Sequence, residues 1–316
     1  MSGFGYRVED GAGERVPLRH VLKCDAPLVW AHLTATTEHA QRWLQDEAQL
    51  EEFVVDALTA TETRPRCDAL HDGALLNLRG RSQDAPDTGD LLASVRIWAI
   101  QGRVFTVARR HLLATDIVEA MVARGEVGDP GDLIAAFATA ITTDLDPVVA
   151  DLGDALDVAE EQISPDNIFA LRREVTRVRV AALGYRRFLQ PQRSALEKLA
   201  GLPGDWLQED DRLHLAAAAD RAARMAEELE SIRERSAVMH ETLTDLRAEQ
   251  IEGRSLILSA AALIFLPLTF ITGLYGMNVK GLPGAESPWA FDLILLGCVV
   301  IAAVVMGWFA LRWFRR

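Results

Sequence analysis

The sequence predicts an α/β domain, then long helices, then a two-helix transmembrane hairpin. Three observations predict this. Short apolar stretches alternate with turn residues from about Leu18 to Ala108. Beyond about Leu112 the strand signals stop and helical periodicity takes over. Near the C-terminus lie two apolar runs: Ser255 to Gly273 has no charged side chain, and Ala290 to Leu311 has only Asp292. Each run is about 20 residues, the length a helix needs to cross ~30 Å of hydrocarbon.

Taken in order, Met1 to Asp10 is polar and lacks the apolar core of a secretory signal, which leaves the soluble portion on the cytoplasmic side. Leu28 to Leu33 reads as a strand, His39 to Leu50 as a helix, and Phe53 to Ala60 as a segment leading into the next strand. Ala74 to Leu78, Leu92 to Ile100 and Val104 to Ala108 are stronger strands. Turn signals separate them at Gln83-Asp84-Ala85-Pro86-Asp87-Thr88-Gly89 and at Gln101-Gly102. The sheet is predicted to be largely antiparallel. It carries neither a glycine-rich phosphate loop nor a nucleophile elbow, so the sequence holds no sign of an enzyme.

Asp132 to Ile163 is helical by periodicity and acidic, with Asp144, Asp146, Asp151, Asp154, Asp157, Glu160 and Glu161. After Ser164-Pro165-Asp166 a basic helix follows, bearing Arg172, Arg173, Arg177, Arg179, Arg186 and Arg187. A hairpin of the two would pair these charges within the chain. The alternative is an acidic surface that collects or senses divalent cations. Gly201-Leu202-Pro203-Gly204 ends the hairpin. From Asp205 to Glu252 there is no proline or glycine, and apolar residues recur at helical spacing into the first membrane run. Roughly 70 continuous helical residues make a rod of about 100 Å. Such a helix cannot bury its apolar stripe alone, and symmetric oligomerisation is the simplest remedy.

A formal net charge of −13 argues against nucleic acid and suits a protein that handles cations. Cys24, Cys67 and Cys298 are too scattered for a disulfide framework, which fits a reducing cytosol. Arg254 precedes the first span and Arg312, Arg315 and Arg316 follow the second, whereas the intervening loop carries only Lys280. By the positive-inside rule both termini are cytoplasmic and the loop faces outward. Trp289, Trp308 and Trp313 are candidate interfacial anchors.

Small or hydroxylated residues form one stripe of the first span: Ser255, Ser259, Ala262, Thr269, Gly273 and Gly276, flanked by Leu258 and Leu266. Such a stripe can line a pore with hydroxyls, carbonyls and dewettable leucine constrictions, or can simply let helices pack closely. Pro267 frees a backbone carbonyl in mid-membrane, which favours the pore. Beyond it lie Tyr275, Gly276, Met277 and Asn278, the candidate selectivity filter. The Asn278 amide carbonyl, repeated around an axis, can replace outer-sphere water on a hydrated divalent cation without stripping its inner shell. No first-shell zinc cluster is evident: Cys and His are the usual ligands, and the first span has neither. His32, His71 and His111 read as structural, and Cys298 as a buried thiol.

A Gly-Met-Asn tripeptide just past a membrane span, preceded by Phe265-Leu266-Pro267-Leu268-Thr269-Phe270-Ile271-Thr272-Gly273-Leu274-Tyr275, resembles the CorA metal ion transporter superfamily. Trp30-Ala31-His32-Leu33, Leu75-Leu76-Asn77-Leu78-Arg79-Gly80, Val95-Arg96-Ile97-Trp98, Arg103-Val104-Phe105-Thr106-Val107-Ala108-Arg109-Arg110 and Asn278-Val279-Lys280-Gly281-Leu282-Pro283-Gly284 resemble its ZntB-type zinc transporter branch. The resemblance covers nearly the whole chain. It implies a funnel-shaped homopentamer in the bacterial inner membrane, a pore of five first helices, and zinc uptake stimulated by a proton gradient. No cofactor is implied beyond the transported ion, Zn2+, with Mg2+, Co2+, Ni2+ and Cd2+ as alternatives. Three departures stand out: Lys280 replaces a glycine at the mouth, Glu252 replaces an asparagine, and Leu256 replaces an aromatic residue. Lys280 is expected to face away from the axis or to pair with Glu286.

The predicted organisation is therefore a cytoplasmic α/β domain (1–112), a cytoplasmic helical hairpin (113–204), a stalk helix (205–254), a pore-lining span (255–276), an outer loop (277–289) and a second span (290–312). Competing readings are a magnesium, cobalt or nickel channel, a zinc efflux protein, and a membrane-tethered cytosolic sensor or enzyme.

Overall fold

The computed structural model describes residues 2–34, 37–61, 64–82, 92–277, 283–284 and 287–313. Two compact units emerge, Met1–Gln162 with Phe169–His240, and Ile163–Ile168 with Glu241–Arg316.

The first unit is built on a seven-stranded sheet of order β2-β1-β3-β7-β6-β5-β4. Its strands are β1 (Ser2–Glu9), β2 (Ala12–Val16), β3 (Leu28–Thr34), β4 (Arg66–Leu70), β5 (Gly73–Arg81), β6 (Leu92–Ile100) and β7 (Arg103–Ala108). Every pairing is antiparallel except β3 with β7. The strands expected around residues 28, 74, 92 and 104 are present. Two N-terminal strands and β4 are additional to those expected, and the segment Phe53 to Ala60, which precedes β4, is helical over Glu52–Thr59.

The N-terminal strands are hidden for a physical reason. In β1 the residues Phe4, Tyr6 and Val8 alternate with Gly3, Gly5 and Arg7, so two of the three intervening positions have no side chain to announce the alternation. The glycines are required there: a Cβ on Gly5 would strike the Val21 side chain, and one on Gly3 would meet the His32 carbonyl at 2.7 Å. Asp10 and Gly11, with φ of 52° and 74°, form the tight left-handed turn between β1 and β2. The helix at 52–59 places Val54, Val55 and Leu58 on one buried face.

Three short helical segments cover one face of the sheet: α1 (Leu18–Val21), α2 (Thr37–Arg42, continued by a π-helical turn over Trp43–Glu47) and α3 (Glu52–Thr59). Trp43, Leu44, Val54, Val55 and Leu58 form one core with Ala31, Leu33, Leu75, Trp98, Phe105 and Val107 of the strands. Helices α4 (Leu113–Ala123) and α5 (Pro130–Glu161) contact the sheet through β2 and β5. Phe137 of α5 sits edge-on to Trp30, which stacks in turn on Tyr6, and both Phe137 and Trp30 are fully buried. His32 belongs to this aromatic group. Its ring stacks on Phe4, Nδ1 lies 2.7 Å from Thr106 Oγ1, and Nε2 lies 3.2 Å from Thr34 Oγ1. It is a satisfied core histidine.

Beyond α5 come α6 (Ile168–Ala200), α7 (Glu209–Tyr275) and α8 (Ala290–Trp313). Helix α6 protects the sheet margin where β4 has ended: Arg79 N donates to Gln192 Oε1 at 2.7 Å, and the Arg79 guanidinium lies 3.8 Å from the Phe188 ring centroid. The acidic face of α5 does not pair with α6 as its charge pattern suggested. Among the described residues its ion pairs run to Arg81, which reaches Asp144 at 3.2 Å, and to Arg235 of α7, which holds Asp157 and Glu160. Helix α6 likewise turns Arg186 toward Glu230 of α7 at 2.9 Å. The stalk segment of α7 is thus the charged partner of both.

Candidate ion-conduction site

In the second unit, α7 enters its apolar stretch after Arg254 and continues through Pro267 to Tyr275. Proline lacks an N–H, so the Leu263 carbonyl one turn earlier loses its helical partner. Near the end, Thr272 Oγ1 donates to the Leu268 carbonyl at 2.9 Å and so folds its hydroxyl back onto the helix. Gly276 N donates to Thr272 O at 2.9 Å and Met277 N to Leu274 O at 3.4 Å, closing the last turn. A Cβ on Gly276 would stand 3.1 Å from the Thr272 carbonyl. A side chain there would have to push that carbonyl by a few tenths of an ångström, and Gly276 is not among the glycines with positive φ. Gly284 is the hairpin glycine with positive φ, 74°.

Ser255, Leu258, Ser259, Ala262, Leu266, Thr269 and Gly273 are all exposed, and they fall on one side of α7. Leu258 and Leu266 are 75% and 70% exposed. The half-buried residues Ala260, Ala261, Ile264, Pro267, Leu268 and Ile271 lie on the other side. Helix α8 has a matching half-buried stripe in Ile294, Gly297, Cys298, Ile301, Ala302 and Val305. The hairpin therefore has one self-shielding face and leaves the small-residue stripe uncovered. Tyr275 Oη donates to the Pro283 carbonyl at 3.1 Å, tying the end of α7 to the segment that leads into α8. Gly276 and Met277 are exposed beside it. Asn278, Lys280 and Glu286 lie outside the described residues, as do the turn at 83–89 and the side chains of Arg312 and Trp313. Glu252 is exposed and Leu256 half-buried.

Among the described residues, one group of carboxylates is close enough to share a cation, with ligand atoms of Asp129, Asp132 and Asp211 within 4.8 Å of one another. It forms where two helix N-termini meet. Asp129 caps α5 by accepting from Asp132 N at 2.9 Å, and Asp132 accepts from Gly128 N at 2.9 Å. Asp211 accepts from Gln208 N at 2.8 Å, and Gln208 Nε2 reaches Asp129 at 2.5 Å. Asp211 is buried, and that burial, together with the charges of Asp129 and Asp132, pushes its carboxyl up to about 7 despite the Gln208 N–H. The sequence signals were two ordinary capping patterns, Asp-Pro-Gly-Asp and Glu-Asp-Asp. Nothing in them says that the caps converge. His71 instead faces Glu51 at 3.4 Å and His111 faces Asp116 at 2.8 Å.

Residues 25–316 match the family model described as CorA-like Mg2+ transporter protein. The chain belongs to the CorA family. It is 30% identical over 307 residues to the zinc transport protein ZntB of Pectobacterium carotovorum, covering 95% of this chain and 92% of that one. It is 31% identical over 320 residues to the divalent cation transporter CmaX of Pseudomonas aeruginosa, covering 99% and 96%. The solved full-length CmaX superposes with a TM-score of 0.78 at 31% identity, covering 99% of this chain and 98% of CmaX. The cytoplasmic domain of Vibrio parahaemolyticus ZntB shares the fold, with a TM-score of 0.65 at 18% identity over 79% of this chain and all of that domain. The CorA family is a family of membrane transporters, so divalent-cation transport of the CorA/ZntB type is the activity class of this chain.

Proposed function

We propose that five copies of this chain form a pore for divalent cations in a bacterial inner membrane, with both termini cytoplasmic, and that the ion taken up is zinc, stimulated by a proton gradient. The observation that carries this reading is the uncovered stripe of α7, small and hydroxylated, ending beside Gly276 and Met277. A hairpin that needed only an anchor has no use for the small and hydroxylated residues Ser255, Ser259, Ala262 and Thr269 on one side of its first helix. Around a five-fold axis the stripe faces water, and Leu258 and Leu266 become narrow dewettable rings. Asn278 supplies a ring of amide oxygens at the entrance, suited to an ion that keeps its inner hydration shell.

Zinc rests on the likeness to the ZntB relatives and not on ligands, since α7 offers the ion neither Cys nor His between Ser255 and Tyr275. A magnesium, cobalt or nickel pore is the second reading, favoured by that same absence. Purified protein in proteoliposomes distinguishes them through uptake of each ion, with and without a pH gradient. Zinc flux that rises with the gradient and is lost in Asn278→Ala, with the oligomer intact, supports the proposal. Equal flux in Asn278→Ala would refute the entrance filter, and zinc flux indifferent to the gradient would refute the coupling.

A further inference from the structure

Helices α5 and α6 carry opposite charges on their outward faces, and among the described residues only part of each set is paired within the chain. On α5, Asp146, Asp154 and Glu161 are exposed at helical spacing, with Asp151 and Val158 beside them. Their neighbours Asp157 and Glu160 are held by Arg235, but among the described residues these others make no ion pair. On α6, Phe169, Arg173, Val180, Leu183 and Arg187 recur at intervals of three, four and seven, so they stand on one narrow stripe. Phe169 is 67% exposed and Val180 63%, unusual for apolar residues on a helix whose opposite side is a full core stripe from Leu171 to Leu199. Arg173 and Arg187 likewise make no ion pair among the described residues, whereas Arg177 and Arg186 of adjoining faces reach Glu174 and Glu230.

We propose that the outward stripe of α6 docks on the outward acidic stripe of α5 of a neighbouring copy. The inference rests on the oligomeric transporter proposed above and names the cytoplasmic surface that joins its protomers. The occupant follows from complementarity. One chain offers a basic, partly apolar stripe and an acidic stripe that carries Val158, on two different helices of one unit. A surface that meets a different surface on the next copy is heterologous, and heterologous contacts generate rings when the rotation closes. A two-fold contact through either stripe alone would set like charges against each other. Each exposed ion pair is worth little. Complementary stripes nevertheless set register and exclude wrong partners, while Phe169, Val180 and Leu183 lose water on docking.

The test uses full-length chains with Cys24 and Cys298 replaced by serine, the buried Cys67 retained, and a single surface cysteine added. Asp154→Cys and Val180→Cys chains are purified in detergent separately and as a co-expressed mixture, then oxidised. A disulfide dimer is expected in the mixture and in neither chain alone. Arg173→Glu with Arg187→Glu on the Val180→Cys chain should abolish that dimer, and Asp146→Arg with Glu161→Arg on its partner should restore it. Dimer formation by either chain alone, or no dimer in the mixture, overturns the proposal. Light scattering on the same samples separates the two levels: a five-copy particle without the dimer sinks this interface only, and a monomeric particle sinks the oligomer as well. If the dimer is absent and the Val180→Cys thiol is shielded from a membrane-impermeant reagent in phosphatidylglycerol liposomes but not in phosphatidylcholine liposomes, the stripe belongs to lipid and the protein–protein interface is wrong.

Discussion

Helix α5 and the last third of α7 are both long and apolar enough to cross a membrane, yet they are opposite kinds of structure. In α5, 61% of the most apolar stretch is buried within the protein; in α7 and α8 the figure is 0%. The first half of α5 is apolar nearly all round because a seven-stranded sheet and its neighbouring helices surround it: Leu133, Ile134, Phe137 and Ile141 are all buried. Among the described residues the hairpin helices are half-buried along one stripe each and otherwise exposed. The comparison teaches that an apolar helix is assigned by what covers it, and that charge is a second guide. The α5 run gives way to Asp144, Asp146 and Asp151, whereas the first hairpin run continues uncharged to Tyr275.

The contrast can be broken most severely by truncation. A chain ending at Ile251 retains the covered helix and loses both uncovered ones. It is expected to purify without detergent, with the helix and strand content of its own residues; a truncated chain that aggregates unless detergent is present would place α5 among the membrane segments. Next in size, Phe137→Ala removes the ring that closes α5 onto Trp30 and should cost about 3–5 kcal/mol of unfolding free energy in denaturant titration. A comparable truncation in the uncovered stripe, Leu258→Ala, should leave that stability unchanged.

A smaller effect comes from His32, packed with the same aromatic cluster. Burial, aided by the nearby His111 and opposed by Asp116, holds its imidazole down at about 4 from the ordinary 6.5. The folded protein therefore resists a proton that the unfolded chain accepts, so this contribution is fully present above pH 6.5 and is lost as the pH falls toward 4. The shift corresponds to about 3 kcal/mol. Stability measured across that window should fall in the parent chain and flatten in His32→Phe. A parallel fall in both would assign the acid sensitivity elsewhere.

How much was legible follows the same division. The two hairpin helices and the exposed side of the first were readable because an unbroken apolar run needs no tertiary knowledge. The strands at Leu92–Ile100 and Arg103–Ala108 were readable because Gln101-Gly102 marks their turn. Strand β1 was not, since Gly3 and Gly5 hide its alternation, although Asp10-Gly11 is a hairpin signal in its own right. The destination of the acidic charges was also hidden. Their composition suggested α6, but Arg235 lies 74 residues beyond Glu161 in the chain and reaches Asp157 and Glu160 only once α7 packs alongside. The meeting of Asp129, Asp132 and Asp211 is likewise a product of packing.

The claim on which transport depends is that the uncovered side of α7 faces water in the assembly. Single cysteines at Ser259, Leu266 and Thr269, compared with Ala260, Ile264 and Ile271, in a Cys298→Ser chain reconstituted in liposomes, test it directly through a membrane-impermeant methanethiosulfonate reagent and metal flux. Modification should block flux at the first three positions and leave the second three untouched. Block at Ala260, Ile264 and Ile271, with the stripe unreactive, would put the pathway on the face that α7 turns toward α8 and would contradict it.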